Sequence, residues 1–158
     1  MTLEELVVHA ATADAMKAIG RRLGAAMRVG DVVGLVGGLG AGKTTLAQGI
    51  AEGLEVSPER HVASPTFALV NEHPARVRFV HADLYRLRDE TELPELGLDE
   101  IFDRAATVIE WADRFPAAVP EDHLRISIAA AADATRTLRV QATGSRGARL
   151  ASILADHT

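Results

Sequence analysis

The chain has 158 residues, 47% of them hydrophobic, with 17 Lys and Arg against 22 Asp and Glu for a formal net charge of −5, and it contains no cysteine. Those figures suit one globular domain over residues 1–158 with room for a sizeable core, and they exclude disulfides, Cys-based zinc sites and thiol catalysis. The acidic balance counts against a surface built to hold a nucleic-acid backbone; no apolar run approaches the roughly 20 residues that span a bilayer and no leader-like start is present, so a cytoplasmic protein away from membranes is expected.

Residues 12–28 carry Met16, Ile19, Leu23 and Met27 at spacings of three and four, which predicts an amphipathic helix with Thr12 as its N-cap. Asp31 to Val36 is an apolar run without alternation, as in a strand buried on both faces of a parallel sheet. Glycines follow at 37, 38, 40 and 42, and from Lys43 a helical period resumes through Leu46, Ala47, Ile50 and Leu54, with Gly53 near its end. Phe67–Val70 reads as a short strand ending before Asn71-Glu72-His73-Pro74, and the run from Arg76 to Val80, ending at His81-Ala82-Asp83, could pair with it as a hairpin.

Residues 90–104 are acidic with Leu93, Leu96, Leu98, Ile101 and Phe102; Pro94 and Gly97 divide them into two short helical turns. Thr107-Val108-Ile109 is a further buried strand leading to Glu110-Trp111. Leu124, Ile126 and Ile128 alternate with polar residues, as do Leu138 and Val140, predicting two late strands that pair, and a closing helix is expected over Arg149–Ala155. The expected fold is α/β: a mixed sheet sandwiched by helices, P-loop NTPase-like because the glycines at 37, 38, 40 and 42 run into Lys43-Thr44 between a strand and a helix, with ligands bound beyond the carboxyl ends of the strands.

Gly37-Gly38-Leu39-Gly40-Ala41-Gly42-Lys43-Thr44 satisfies G-x-x-x-x-G-K-[ST] in the strand–turn–helix context that this motif requires. Converging backbone N–H groups cradle phosphate only where no Cβ obstructs the turn, and the following helix directs its N-terminal amides at the same anion. Lys43 adds a charge for the β- and γ-phosphates of a nucleotide, and the Thr44 hydroxyl suits Mg²⁺; Thr45 is either a second hydroxyl at the site or a packing and capping group. Asp83 and Glu110 both follow apolar runs and should emerge at strand ends, where each could serve the metal or be an exposed or capping carboxylate. His81 shares a face with Asp83 in an extended chain and can be a structural or a catalytic imidazole.

The single asparagine, Asn71, is followed by Glu-His-Pro, which excludes the Asn-Lys-x-Asp specificity element of small GTPases. A small-molecule P-loop kinase and a non-hydrolysing nucleotide-binding subunit remain as alternatives to a hydrolase.

Gly37–Thr45, Ser64-Pro65-Thr66-Phe67, His81-Ala82-Asp83-Leu84-Tyr85-Arg86-Leu87, Glu95-Leu96-Gly97-Leu98-Asp99 and Ile109-Glu110-Trp111 together resemble the TsaE (YjeE) family of bacterial ATPases required for threonylcarbamoyladenosine formation on tRNA. The resemblance runs from residue 12 to about residue 140. It implies that Thr44 and Glu110 ligate Mg²⁺, that Asp83 supports hydrolysis in a Walker B-like position, and that Ser64-Pro65-Thr66 form a switch-like loop near the γ-phosphate. It also implies Thr12 and Arg136 as nucleotide contacts beside Gly37–Thr45. The implied partners are the TsaB and TsaD proteins, with tRNA reached only through their complex. Gly38 departs from the family's common acidic residue, and residues 112–122 and 129–135 lie outside the resemblance.

Overall fold

The computed structural model describes residues 5–60, 62 and 70–155. Its strands are β1 (Leu6–Ala10), β2 (Val32–Val36), β3 (Val70–His73), β4 (Phe79–Asp83), β5 (Ala106–Glu110), β6 (His123–Ala130) and β7 (Arg136–Thr143). They form one sheet in the order β1-β7-β6-β2-β5-β4-β3. β6, β2, β5 and β4 run parallel; β7 is antiparallel to β6 and β1, and β3 is antiparallel to β4. β2, β4 and β5, buried on both faces, read in the sequence as apolar runs, whereas β6 reads by alternation because only every second residue of its first six is buried.

This topology brings distant segments to one edge. The carboxyl ends of β2, β4 and β5 point the same way, as do the end of β1 and the start of β7, where Ala10 stands opposite Arg136. Thr12, the glycine turn after Val36, Asp83, Glu110 and Arg136 therefore all lie at the carboxyl edge of the sheet, where ligands of such sheets bind.

Helices α1 (Ala13–Ala26), α2 (Lys43–Gly53) and α5 (Gly144–Ala155) cover one face. Met16, Leu23, Leu46, Ile50, Leu150 and Leu154 pack there against Val33, Leu35, Leu124 and Ile126. Among the described residues the other face is covered by the short helices α3 (Leu93–Leu96) and α4 (Leu98–Phe102) and flanking turns; Val32, Val80, Ile109, Leu98, Ile101 and Phe115 form a second core there.

Glycines let α1 and α2 meet backbone to backbone. A Cβ on Gly24 would lie 2.1 Å from the Ile50 carbonyl oxygen, and one on Gly53 would lie 2.3 Å from that of Arg21. An alanine at either place must force the helices apart, at about 1–3 kcal/mol. This contact fixes the axis of α2, whose first turn carries Lys43 and Thr44.

Three features differ from the sequence reading. β1 is additional: Leu6-Val7-Val8 hides its alternation, but Val8 and Ala10 face inward while Val7 and His9 face out. The strand expected to end at Val70 continues to His73, since an edge strand in a hairpin tolerates Asn71 and Glu72. Phe67, Ala68 and Leu69 lie outside the described residues, as does the Ser64-Pro65-Thr66 segment. The closing helix starts earlier, at Gly144, whose φ of +79° suits glycine.

Candidate functional site

The turn after β2 uses its glycines in the left-handed region: φ is +156° at Gly37, +76° at Gly40 and +115° at Gly42, the N-cap of α2. At Gly37 a Cβ would stand 2.7 Å from the Ile128 carbonyl oxygen, so both conformation and space demand glycine there. Gly38, Leu39 and Gly40 are exposed at the turn's crest, and Ala41 is buried beneath it. Because the α2 cap has no side-chain acceptor, its first-turn N–H groups remain available to an anion.

Lys43 is buried at the foot of this turn, 5% exposed. Its Nζ donates to the carbonyl oxygens of Gly37 at 2.7 Å and Gly38 at 2.8 Å, and lies 4.2 Å from the centroid of the Trp111 ring. Burial lowers the Lys43 pKa from its ordinary value, opposed by the negative charges of Glu110, Asp83 and Asp113.

The two candidate carboxylates stand side by side, since Asp83 and Glu110 are register partners at the ends of β4 and β5. The Thr44 hydroxyl donates to Glu110 Oε1 at 3.4 Å, while Glu110 Oε2 lies 2.5 Å from His81 Nε2. Asp83 Oδ1 accepts from the Tyr85 N–H at 2.9 Å. Burial pushes the Asp83 carboxyl up, and the Glu110 charge adds to this; the Tyr85 N–H, His81 and Lys43 oppose it. Trp111 takes a left-handed φ of +59° immediately after Glu110, and its ring meets that of Tyr85 at 4.7 Å between centroids.

A second group gathers on the other flank of the turn. Thr12, Met16, Gly40, Gly42, Thr45, Ala134 and Arg136 line a cleft of about 140 Å³. Thr12 caps α1 as expected, accepting from the Ala15 N–H at 3.0 Å, and still borders this cleft. Arg136 Nε donates to the Ala41 carbonyl at 2.9 Å and Nη1 to that of Ala134 at 2.6 Å, so the guanidinium braces the glycine turn from β7.

All the described candidates thus fall into two adjoining clusters: Lys43, Thr44, Asp83 and Glu110 on one side, and Thr12, Thr45 and Arg136 on the other, with Gly37–Gly42 between them. Among the described residues no group of three or more His, Asp and Glu converges as a metal cage. A hydroxyl and one or two carboxylates are nonetheless the oxygen donors that Mg²⁺ takes when phosphates supply the others.

Residues 10–138 match the family described as "Threonylcarbamoyl adenosine biosynthesis protein TsaE". The chain belongs to the TsaE family. Its relatives include the tRNA threonylcarbamoyladenosine biosynthesis protein TsaE of Bacillus subtilis, 41% identical over 89% of this chain and 88% of that protein. The protein of the same name from Streptomyces coelicolor is 40% identical over 84% of this chain and 94% of that one. A crystal structure of Bacillus subtilis YdiB superposes with a TM-score of 0.83 at 33% identity, covering 99% of this chain and 97% of the other. Within this TsaE-family chain, three contacts at the site were beyond sequence reasoning: His81 on Glu110, Trp111 over Lys43, and Arg136 on the turn's carbonyls. The His81-x-Asp83 spacing puts the imidazole on the face of Asp83 but does not point to Glu110, which the β4–β5 register brings to it, and local spacing signals neither of the other two contacts.

Proposed function

We infer that this chain is a Mg²⁺-dependent ATPase serving the formation of threonylcarbamoyladenosine on tRNA. It would act in the cytoplasm through a complex with TsaB and TsaD and meet tRNA only through them. The observation that carries the hydrolase reading is the convergence of Thr44 Oγ1 and Glu110 Oε1, 3.4 Å apart, with Asp83 beside Glu110 at the foot of the phosphate-binding turn. Hydroxyl and carboxylate oxygens in that arrangement fit a hard divalent cation. Bound there with the nucleotide, Mg²⁺ would neutralise charge on the β- and γ-phosphate oxygens.

The chain's own groups have separable tasks. The Gly37–Gly42 amides and the first turn of α2 bind phosphate oxygens, and Lys43 exchanges its two carbonyl acceptors for charged ones. The cleft between Thr12, Thr45 and Arg136 suits the nucleoside, with the Arg136 bond to Ala41 keeping the turn in register. Asp83 orients the attacking water and accepts its proton as the oxygen bonds to the γ-phosphorus and the bond to the β-phosphate oxygen breaks, releasing ADP and phosphate. A carboxyl pushed up by burial is a better proton acceptor for this purpose than an ordinary surface aspartate.

The test is ATP hydrolysis by the purified chain with and without its TsaB and TsaD partners, with modified tRNA measured alongside. Stimulated phosphate release together with tRNA modification supports the reading. Transfer of phosphate to a small hydroxyl compound faster than to water would make the chain a kinase. Nucleotide binding with no phosphate release in the full mixture would make it a binding subunit.

A further inference from the structure

The imidazole of His81 occupies an expensive place. It lies in the middle of β4 between Val80 and Ala82, fully buried, in a strand that is otherwise apolar before Asp83. Burying an imidazole against a carboxylate costs desolvation that an apolar pair of similar volume would avoid. What it gains is the contact with Glu110 Oε2 at 2.5 Å.

Register makes that contact possible. His81 stands opposite Val108 on β5, so Glu110 is its diagonal neighbour on the same face, one pleat nearer the carboxyl edge. The ring is stacked on Phe79, with centroids 6.0 Å apart and planes 24° apart, which fixes the direction of Nε2. Its other nitrogen, Nδ1, has no hydrogen-bond partner among the described residues. An orphaned buried N–H costs more than a bare lone pair, so the hydrogen is assigned to Nε2, which donates to Glu110.

The two oxygens of Glu110 therefore face different ways: Oε2 backward to His81 within the sheet, Oε1 forward to the Thr44 hydroxyl. We propose that His81 is a positioning residue that holds the Glu110 carboxylate by Oε2 so that Oε1 is presented beside Thr44 to a divalent cation carried on the nucleotide. This rests on the reading of Glu110 as a metal ligand. It gives His81 no contact with substrate: the imidazole acts through the carboxylate, as outer groups orient the ligands of metal sites generally.

The experiment uses the full chain loaded with ADP and titrated with Mn²⁺ as a paramagnetic substitute for Mg²⁺, free Mn²⁺ being read by electron paramagnetic resonance. His81→Asn leaves an amide that stops short of Oε2, whereas His81→Gln brings its amide nitrogen to about the position of Nε2. The Asn variant should bind Mn²⁺ about 10–100-fold more weakly in the ADP complex, with metal-free ADP affinity within about twofold of wild type, and the Gln variant should recover Mn²⁺ affinity to within about threefold. Wild-type Mn²⁺ affinity in a folded Asn variant, or an equal loss in both variants, overturns the proposal. If the Asn variant does not fold, the Gln variant decides, because a tenfold loss there is already incompatible with a donor role. Glu110→Gln separates the two layers of the argument. If it weakens Mn²⁺ binding and His81→Asn does not, only the role of His81 fails. If it leaves Mn²⁺ binding unchanged, the metal reading of Glu110 fails and the role of His81 with it.

Discussion

Two buried aspartates at opposite ends of the central strands, Asp31 and Asp83, are treated in opposite ways. At the amino end of β2, Asp31 is fully buried and matched on all sides: Arg149 and Arg146 approach from α5, and the Arg28 N–H donates at 2.7 Å. At the carboxyl end, Asp83 is nearly as buried but forms no ion pair among the described residues; the nearby Lys43 ammonium donates to carbonyls of the glycine turn instead. One carboxylate ties a helix to a sheet. The other lies poorly solvated beside a second acid, where burial disfavours its charged form and leaves its oxygens available for chemistry.

The comparison can be broken first at its structural end. Asp31→Ala removes the shared acceptor of two partly exposed guanidiniums and of the Arg28 N–H and should cost about 1.5–3 kcal/mol in urea unfolding. ATP affinity of the remaining folded protein should be unchanged; a loss below about 1 kcal/mol would show that the buried pair is not what holds α5 to the sheet. At the other end, Lys43→Ala would remove the charge-assisted phosphate contact proposed for it, and ATP affinity measured by calorimetry should then fall by about 1.5–3 kcal/mol. Unchanged affinity would remove the lysine from the phosphate site.

The smallest expected effect runs in the opposite direction. Asp83→Asn keeps the acceptor for the Tyr85 N–H but discards the charge, so the variant should be more stable than wild type at neutral pH, by about 0.5–2 kcal/mol. Burial raises the Asp83 pKa, so folding takes up a proton there. Its contribution to stability is fully present below the ordinary carboxylate value of about 3.9 and is lost as pH rises through the raised value. The advantage of the Asn variant should therefore open between acid and neutral pH, and unfolding curves at several pH values will measure it. A variant less stable than wild type at neutral pH would mean that the Asp83 charge is compensated in the fold.

The contrast between the two ends also explains what the sequence could reveal. The glycine turn, Lys43, Thr44 and the strand-end acids were legible because their spacing follows one continuous strand–turn–helix or one apolar run. Asp31 was legible only as the start of a strand, since its arginines arrive from a helix more than a hundred residues later. The same holds for His81 on Glu110 and for the Gly24 and Gly53 contacts, where the partner is set by sheet register or helix crossing and not by local period. β1 and the length of β3 were missed because edge strands, half exposed, need not carry the apolar pattern that identifies central ones.

The central claim is that the strand-end acids act on nucleotide-bound Mg²⁺ and not merely as buried polar groups. The direct measurement is phosphate release from saturating Mg²⁺–ATP by wild type and by Glu110→Gln, with ATP affinity determined for both without metal. The account predicts hydrolysis slower by about 100-fold or more in the variant with metal-free affinity nearly unchanged. Equal rates of phosphate release in the two proteins would contradict it.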